Sequence, residues 1–226
     1  MRSWIFVFVV LAARLGAQGS FQGVITYQAP ATETSAAPTT VTFSIKGALS
    51  RIDLSDTKTP FGAPSVIMDS AAKSVTVLMS STKMYMTTTM QGATASNGTA
   101  PPVNITPLGT TETVAGIKCE NYAVTNGEHQ ATVCAAHGMG TLGMTGGMGA
   151  LRQMPSNYTE QMRAVSKDGF LPLKLTELTD GTPHLALIAT SVVRKDLDPS
   201  LFVTPPDYMK VDQGSISKIM PPPSGP

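Results

Sequence analysis

The stretch CENYAVTNGEHQATVC, residues 119–134, carries the strongest signal in the sequence for a β-hairpin. Its centre, Asn126-Gly127, favours a type I′ turn, because both central residues of that turn need a positive φ. With this turn in the middle, Cys119 and Cys134 are predicted to lie directly opposite each other. Opposed Cα atoms of an antiparallel pair are about 4.5–5.5 Å apart, which is within disulfide range. The stretch therefore predicts two antiparallel strands joined by a Cys119–Cys134 disulfide.

The two faces of this hairpin differ in chemistry. Successive side chains of a strand point to opposite faces, and one face carries Tyr122, Val124, Ala131 and Val133. The cysteines share the other face with Asn121 and Thr132, and we expect the bridge at the partly exposed end of the ribbon, in a structural role. A redox role is less favoured because the chain has no C-x-x-C motif.

The first 19 residues have the pattern of a secretory signal peptide. Arg2 precedes an apolar run of ten residues, positions 4–13, whereas a membrane span needs about 20. Small residues place the cleavage site near Ala17 or Gly19. We therefore expect a periplasmic or secreted protein that does not span the membrane; an uncleaved N-terminal anchor is the alternative.

The charge content excludes several classes of protein. Lys plus Arg is 16 and Asp plus Glu is 15 in 226 residues, a net charge of +1. Removal of residues 1–19 takes away Arg2 and Arg14 and no acid, which leaves 14 basic against 15 acidic residues. A nucleic-acid binder normally has a basic patch, so no nucleic-acid partner is expected. The 42% hydrophobic content argues against a disordered acidic chain.

Alternating apolar residues predict strands through most of the chain. The segments are Phe21–Gln28, 41–45, 52–54, 66–68, 75–79, 84–86, the 119–134 hairpin, 171–175 and Leu185–Val193. Turn-forming residues such as Lys46-Gly47 and Asp180-Gly181 separate them. Period-two alternation at these intervals is typical of an antiparallel meander with one buried face.

The rest of the chain has weaker patterns. Residues of about 30–40 and 87–107 lack hydrophobic periodicity and are predicted to be mobile loops. Apolar residues recur at helical spacing between Leu151 and Val165, which predicts one helix. We expect one domain over residues 20–211 and a disordered, Pro-rich tail over 212–226.

No catalytic or cofactor-binding motif stands out. Gly138–Gly143 matches G-x-G-x-x-G, but the preceding strand belongs to an antiparallel hairpin, so the βαβ context of a dinucleotide site is missing. The histidines have no ligand spacing and no G-x-S-x-G is present. We therefore predict no catalytic residues, no cofactor and no metal among the conventional ligands, and a protein that is not an enzyme.

Several spaced segments resemble a known family. They are Arg51-Ile-Asp53, Val66–Asp69, Lys83–Met86, Thr111–Tyr122, Phe170–Leu175 and Leu197–Tyr208. The pattern resembles exported bacterial proteins of domain-of-unknown-function family 4412, which look remotely related to the LolA/LolB-like group of lipoprotein carriers. The resemblance implies a mainly β fold: a curved antiparallel sheet or incomplete barrel, with one or two helices or loops over its concave face. It also implies that Phe202 and Tyr208 hold the C-terminal segment onto the sheet.

Three functions are compatible with this reading. The first is binding or carrying a lipid, a lipoprotein acyl chain or another apolar ligand, and its speculative lining is Phe43, Ile45, Val75, Val77, Met84 and Met86. The chain has 13 Met, and thioethers suit Cu(I), so the second is copper binding through Met84, Met86 and the Met139–Met148 loop. The third is an interaction or stress protein with no small ligand. The sequence does not indicate an oligomeric state.

Overall fold

The computed structural model describes residues 21–31, 37–55, 63–89, 103–126, 129–139 and 170–212. These residues form twelve β-strands and a 3₁₀ helix at Pro199–Phe202. The strands are β1 (Gly23–Ala29), β2 (Thr39–Lys46), β3 (Leu49–Leu54), β4 (Pro64–Asp69), β5 (Ser74–Met79), β6 (Met84–Thr89), β7 (Val103–Val114), β8 (Ile117–Asn126), β9 (His129–His137), β10 (Phe170–Thr179), β11 (Thr182–Arg194) and β12 (Met209–Lys210).

All twelve strands belong to one open sheet, so the predicted mainly β fold is confirmed. Its order is β12-β6-β5-β4-β3-β2-β1-β11-β10-β9-β8-β7. The strands are antiparallel to their neighbours, apart from the parallel β12–β6 pair. β11 pairs with β1 and so joins the two meanders, β1–β6 and β7–β11. Among the described strands β6 and β7 do not pair, and the curved sheet stays open on that side.

Tight turns set the register of the hairpins. Ala115 and Gly116 have φ of 49° and 78°, and Asp180 and Gly181 have φ of 51° and 75°. Two successive positive φ values are the mark of a type I′ turn, whose twist matches that of the strands it joins. The predicted turn at Asp180-Gly181 is confirmed.

Gly23 is required by a close approach between strands. Its φ is 152°, and a Cβ at this position would collide with the backbone carbonyl of Val193. Any larger residue must therefore shift β1 away from β11. This places a glycine at the seam where the two meanders meet.

The 119–134 hairpin forms, but its predicted register is wrong. Asn126 pairs with His129, and Cys134 lies opposite Asn121 rather than Cys119. The disulfide is therefore diagonal, with a Cα–Cα distance of 5.4 Å. A shift of two residues leaves every side chain on its predicted face, so the hydrophobic pattern does not distinguish the two registers.

The disulfide is also more buried than the sequence suggested. Cys119 is 2% exposed and Cys134 is 1% exposed, and both belong to the main hydrophobic core. The expected position at a partly exposed ribbon end is wrong, because neighbouring strands flank the hairpin on both sides: β8 pairs with β7, and β9 pairs with β10. The bridge is thus a core element.

The C-terminal segment, residues 195–210, packs on one face of the sheet as predicted. Phe202 and Leu197 are buried against Ile67 and Leu78, with Tyr208 beside them. Polar contacts add to this packing: Lys46 binds Asp196 and the carbonyl of Leu197, Arg51 donates to the carbonyl of Leu201, and Lys83 pairs with Asp207 at 2.9 Å.

Acidification should loosen this segment. Hydrogen bonding to Lys46 lowers the pKa of Asp196, and hydrogen bonding to Lys83 lowers the pKa of Asp207. A carboxyl with a lowered folded-state pKa stabilises the fold above its unfolded pKa of about 4, and this contribution is lost as pH falls through the lower folded value. We therefore expect the loss of stability caused by Asp207→Asn to become smaller as the pH falls from about 5 to about 3. Urea unfolding at each pH measures this loss.

Asp180→Asn, which removes the same charge from the β10–β11 turn, is the control for general charge effects. If Asp207→Asn and Asp180→Asn showed the same pH dependence, the Lys83–Asp207 contact would not be its source. The carboxyl groups of Asp196 and Asp207 are exposed, so each effect is small.

Three predicted loop boundaries change. Residues 103–107, predicted as part of a loop, form the start of β7, and Thr87–Thr89 extend β6. Likewise, Thr39 and Thr40 belong to β2. Threonine-rich segments have strand propensity even without apolar alternation, which explains the difference. The predicted signal peptide, the 151–165 helix and most of the 212–226 tail lie outside the described residues.

Candidate functional site

The sheet has two faces of different character, which we call inner and outer. The inner face carries Tyr27, Phe43 and the disulfide, and its core extends over strands of both meanders. The outer face carries the C-terminal segment over β3–β6 and a second cluster around Tyr122 and Val133. The largest of these clusters lies on the inner face, so we take the inner face as the candidate ligand-binding face.

The inner core is anchored by a buried tyrosine. Tyr27 is 1% exposed and meets Phe43 edge-on, with ring centroids 5.3 Å apart. Its hydroxyl donates to the carbonyl of Pro172 at 2.7 Å, next to a bulge in β10. Burial raises the pKa of Tyr27 well above its ordinary value, so this hydroxyl remains a neutral donor.

The six residues of the predicted ligand lining lie on β2, β5 and β6, at positions that face the inner side of the sheet, but their exposure differs. Phe43, Ile45 and Val75 are 1%, 5% and 6% exposed and belong to the filled core. Val77, Met84 and Met86 are only half-buried. Met86 lies opposite Val77 in the β5–β6 pair, so these two side chains share a face. Surface that a ligand could contact is therefore found at the β5–β6 side.

This half-buried surface borders the open side of the sheet. β12 pairs only with Met84 and Tyr85 of β6, and β6 does not pair with β7 among the described strands. The apolar inner face consequently ends at a strand whose far side is largely unpaired. We call Val77, Met84 and Met86 the β5–β6 rim.

A charged pair lies on the disulfide side of the inner face. Lys174 is opposite Cys134, and Glu112 is opposite Cys119. Residues directly opposite each other share a face, and the Lys174 ammonium reaches the Glu112 carboxylate at 2.8 Å. The ion pair thus bridges β10 and β7 across the two strands that the disulfide joins. Beside it, Asn121 donates to Thr110 while its Oδ1 is buried without a hydrogen-bond partner.

A second polar cluster lies on the outer face. The Tyr122 hydroxyl donates to Glu120 at 2.9 Å and lies 2.8 Å from Nε2 of His137. Because a phenol has one proton, the hydroxyl accepts from His137 when it donates to Glu120. Burial, followed by the bond to Glu120, raises the pKa of Tyr122 to about 12. The Tyr122 hydroxyl therefore stays protonated at neutral pH, and the cluster ties β8 to the end of β9.

Conventional metal ligands do not converge in the described part of the chain. No group of three His, Cys, Asp or Glu residues there could hold a metal ion. Of the methionines named for copper, Met139 is 4% exposed in the inner core, and Met144 and Met148 lie outside the described residues. None of the described helices is both long and apolar enough to cross a membrane.

Sequence reasoning missed the polar pairs. Lys174 and Glu112 are 62 residues apart, and no local motif links them. The sequence indicates Arg51 and Asp53 only as part of a family resemblance. In the structure they form a 2.8 Å ion pair, Ser65 donates to Asp53, and Arg51 donates to the carbonyl of Leu201. Charged residues at alternate positions of a strand were the available signal, since they share one face.

The fold and the site together define a β-sheet domain with an apolar inner face that ends at a half-buried rim. A model of the family described as domain of unknown function DUF4412 matches residues 21–208. The match covers most of the chain, and the chain belongs to this family.

Two solved proteins are similar to the chain in structure. One is PNGF-II, with a TM-score of 0.49, 13% identity and coverage of 88% of this chain and 32% of PNGF-II. The other is MucB in its complex with MucA(peri), with a TM-score of 0.41, 14% identity and coverage of 85% of this chain and 57% of MucB. The chain thus spans about a third of the first structure and little more than half of the second. A comparison with curated protein sequences found no match.

Proposed function

We propose that this chain is an exported binding protein that takes an apolar chain, such as a lipid or a lipoprotein acyl chain, against its inner sheet face. The observation that carries the proposal is the half-buried β5–β6 rim at the open side of the sheet. Binding sites for small apolar ligands are concave and mainly apolar. Two of the three rim residues are Met, whose flexible thioether side chain adapts to irregular ligands.

Export is supported by the disulfide and by the first 19 residues. Disulfides persist in oxidising compartments and are rare in the cytosol, and Cys119 and Cys134 are bonded in the core. We propose cleavage near Ala17 or Gly19 and a single domain over residues 20–211. The location that follows is the periplasm or the extracellular space.

The ligand that best fits the inner face is an amphiphile. The rim offers apolar contacts, and the Lys174–Glu112 pair offers one cationic and one anionic group on the same face. An unpaired buried acceptor, Asn121 Oδ1, would gain a partner from a ligand N–H or O–H group. These polar groups favour a lipid with a polar end over a plain hydrocarbon.

A charge placed on the rim should abolish binding of an apolar probe. We expect Val77→Asp to weaken the affinity for a fluorescent fatty acid by about tenfold or more, because the ligand would desolvate a carboxylate. Fluorescence titration measures the loss. Thr87→Asp, on the exposed outer side of β6, adds the same charge and should bind as the unmodified protein does.

Val77→Asp also needs a folding control, because Val77 packs against the core. Thermal unfolding of the variant provides it, and Met86→Asp on β6 repeats the test at a less buried strand. The unmodified protein, released from the cell envelope under native conditions, should carry a lipid detectable by native mass spectrometry. If the protein bound no probe and carried no added lipid mass, the proposal would be overturned. That result would favour an interaction protein without a small ligand.

A further inference from the structure

Three methionines from three different strands lie in one row across the edge of the sheet. Met79 of β5 is directly opposite Met84 of β6, and Met209 of β12 is paired with the same Met84 from the other side. Cross-strand partners share a face. Their sequence neighbours Leu78, Tyr85 and Tyr208 pack together on the outer face. Because successive side chains of a strand point to opposite faces, the three methionines lie on the inner face.

The spacing of this row suits a single metal ion. Adjacent strands are about 4.8 Å apart, and Met has three rotatable side-chain bonds with which to bring its sulfur inward. A metal–sulfur distance of about 2.3 Å, as in zinc–thiolate sites, places the sulfurs of a trigonal site about 4 Å apart. Met79 and Met209, about 10 Å apart on either side of Met84, can therefore converge on one ion by turning their sulfurs toward Met84.

The chemistry of the row selects a soft cation. Thioethers are neutral, soft ligands that favour Cu(I), whereas carboxylates and imidazoles suit harder ions. No carboxylate of the described residues is free beside the row on β6, since Lys83 is paired with Asp207 at 2.9 Å and Lys210 follows Met209. A hard divalent ion would gain little from such a site.

The row is also open to solvent. Met209 is 68% exposed, Met84 is half-buried and Met79 is 9% exposed, so an ion can reach the sulfurs from the edge of the sheet. We propose that Met79, Met84 and Met209 form a three-thioether Cu(I) site. This assignment replaces the Met139–Met148 loop of the sequence hypothesis with two methionines that only the strand pairing brings to Met84.

The test is a Cu(I) titration of the full chain against the competing chelator bicinchoninate, repeated with Ag(I) as a redox-inert ion. We expect one equivalent to bind, and Met84→Leu and Met209→Leu each to weaken binding at least about tenfold, since each removes one of three ligands. Met68→Leu, a buried inner-face position outside the row, should bind like the unmodified protein. X-ray absorption of the Cu(I) form should show three sulfur ligands.

Met→Leu exchanges keep the volume and apolar character of the side chain. Fatty-acid binding at the β5–β6 rim should therefore survive in Met209→Leu, because Met209 lies outside the rim, so the copper site and the apolar site can fail separately. Met209 is exposed, so its variant cannot lose copper through an unfolded core. Unchanged Cu(I) affinity in Met209→Leu and Met84→Leu, or no binding by the unmodified chain, would overturn the assignment.

Discussion

Replacing Phe43 with alanine is expected to lower the free energy of unfolding by about 3–5 kcal/mol, the usual cost of deleting a buried phenylalanine. Phe43 is 1% exposed and packs edge-on against Tyr27, so both its hydrophobic burial and its ring contact are lost. A single domain is stable by only about 5–15 kcal/mol. The variant should therefore unfold at a much lower urea concentration than the unmodified protein.

Leu201→Ala is the matched control for Phe43→Ala. Leu201 is 37% exposed, and its contact with Arg51 is made by its backbone carbonyl, which the substitution keeps. We expect a loss of about 1 kcal/mol or less for this variant, in the range of partly exposed positions. A loss at Phe43 as small as that at Leu201 would mean that the inner face is not a packed core.

Removal of the disulfide should be the second large effect. Cys119 and Cys134 are separated by 15 residues, and closing a loop of that length is worth about 3 kcal/mol. Cys119→Ala with Cys134→Ala should therefore shift the folding equilibrium by more than about 100-fold toward the unfolded chain. Urea unfolding under non-reducing conditions measures the difference.

Burial of the two sulfurs adds a kinetic expectation. A thiolate must reach a disulfide sulfur to reduce it, and both cysteines are at most 2% exposed. We expect dithiothreitol to reduce the native protein no faster than the protein unfolds. Fast reduction under native conditions, together with a stability loss below about 1 kcal/mol in the double variant, would point to a redox role instead.

The strands were largely predictable because one buried face imposes period-two alternation. Residues 41–45 of β2 alternate Val, Phe and Ile with Thr and Ser, and Val75 and Val77 of β5 flank Thr76. β7 was missed because it is an edge strand with Pro107 and Gly109 in its middle, and most of its described side chains are exposed. Among its described residues only Val114 is buried, so the strand shows little alternation between buried and exposed positions.

The register and the candidate site were less predictable. The predicted hairpin register is wrong by two residues. The prediction places the turn at Asn126-Gly127, whereas Asn126 pairs with His129 in the structure. Lys174 and Glu112 are far apart in sequence, as are Met209 and Met84, and only strand order places each pair together. Half-burial of Val77 and Met86 likewise depends on where the sheet stays open.

The open side of the sheet links the fold to the proposed function. β1–β6 and β7–β11 are simple meanders that meet at Gly23, and pairing of β6 with β7 would close them into a barrel. Without that pairing, Val77, Met84 and Met86 keep partial exposure on an otherwise buried face. The same edge carries the methionine row, so the two proposed binding surfaces share Met84.

The most direct test of apolar binding at the β5–β6 rim is photo-crosslinking with a diazirine-bearing fatty acid, followed by residue-level mass spectrometry. Labels are predicted on Val77, Met84 and Met86, and an excess of unlabelled fatty acid should remove them. The outer-face residues of the same strands, Thr76 and Thr87, should stay unlabelled. Labels spread equally over both faces, or resistant to competition, would contradict a binding site on the inner face.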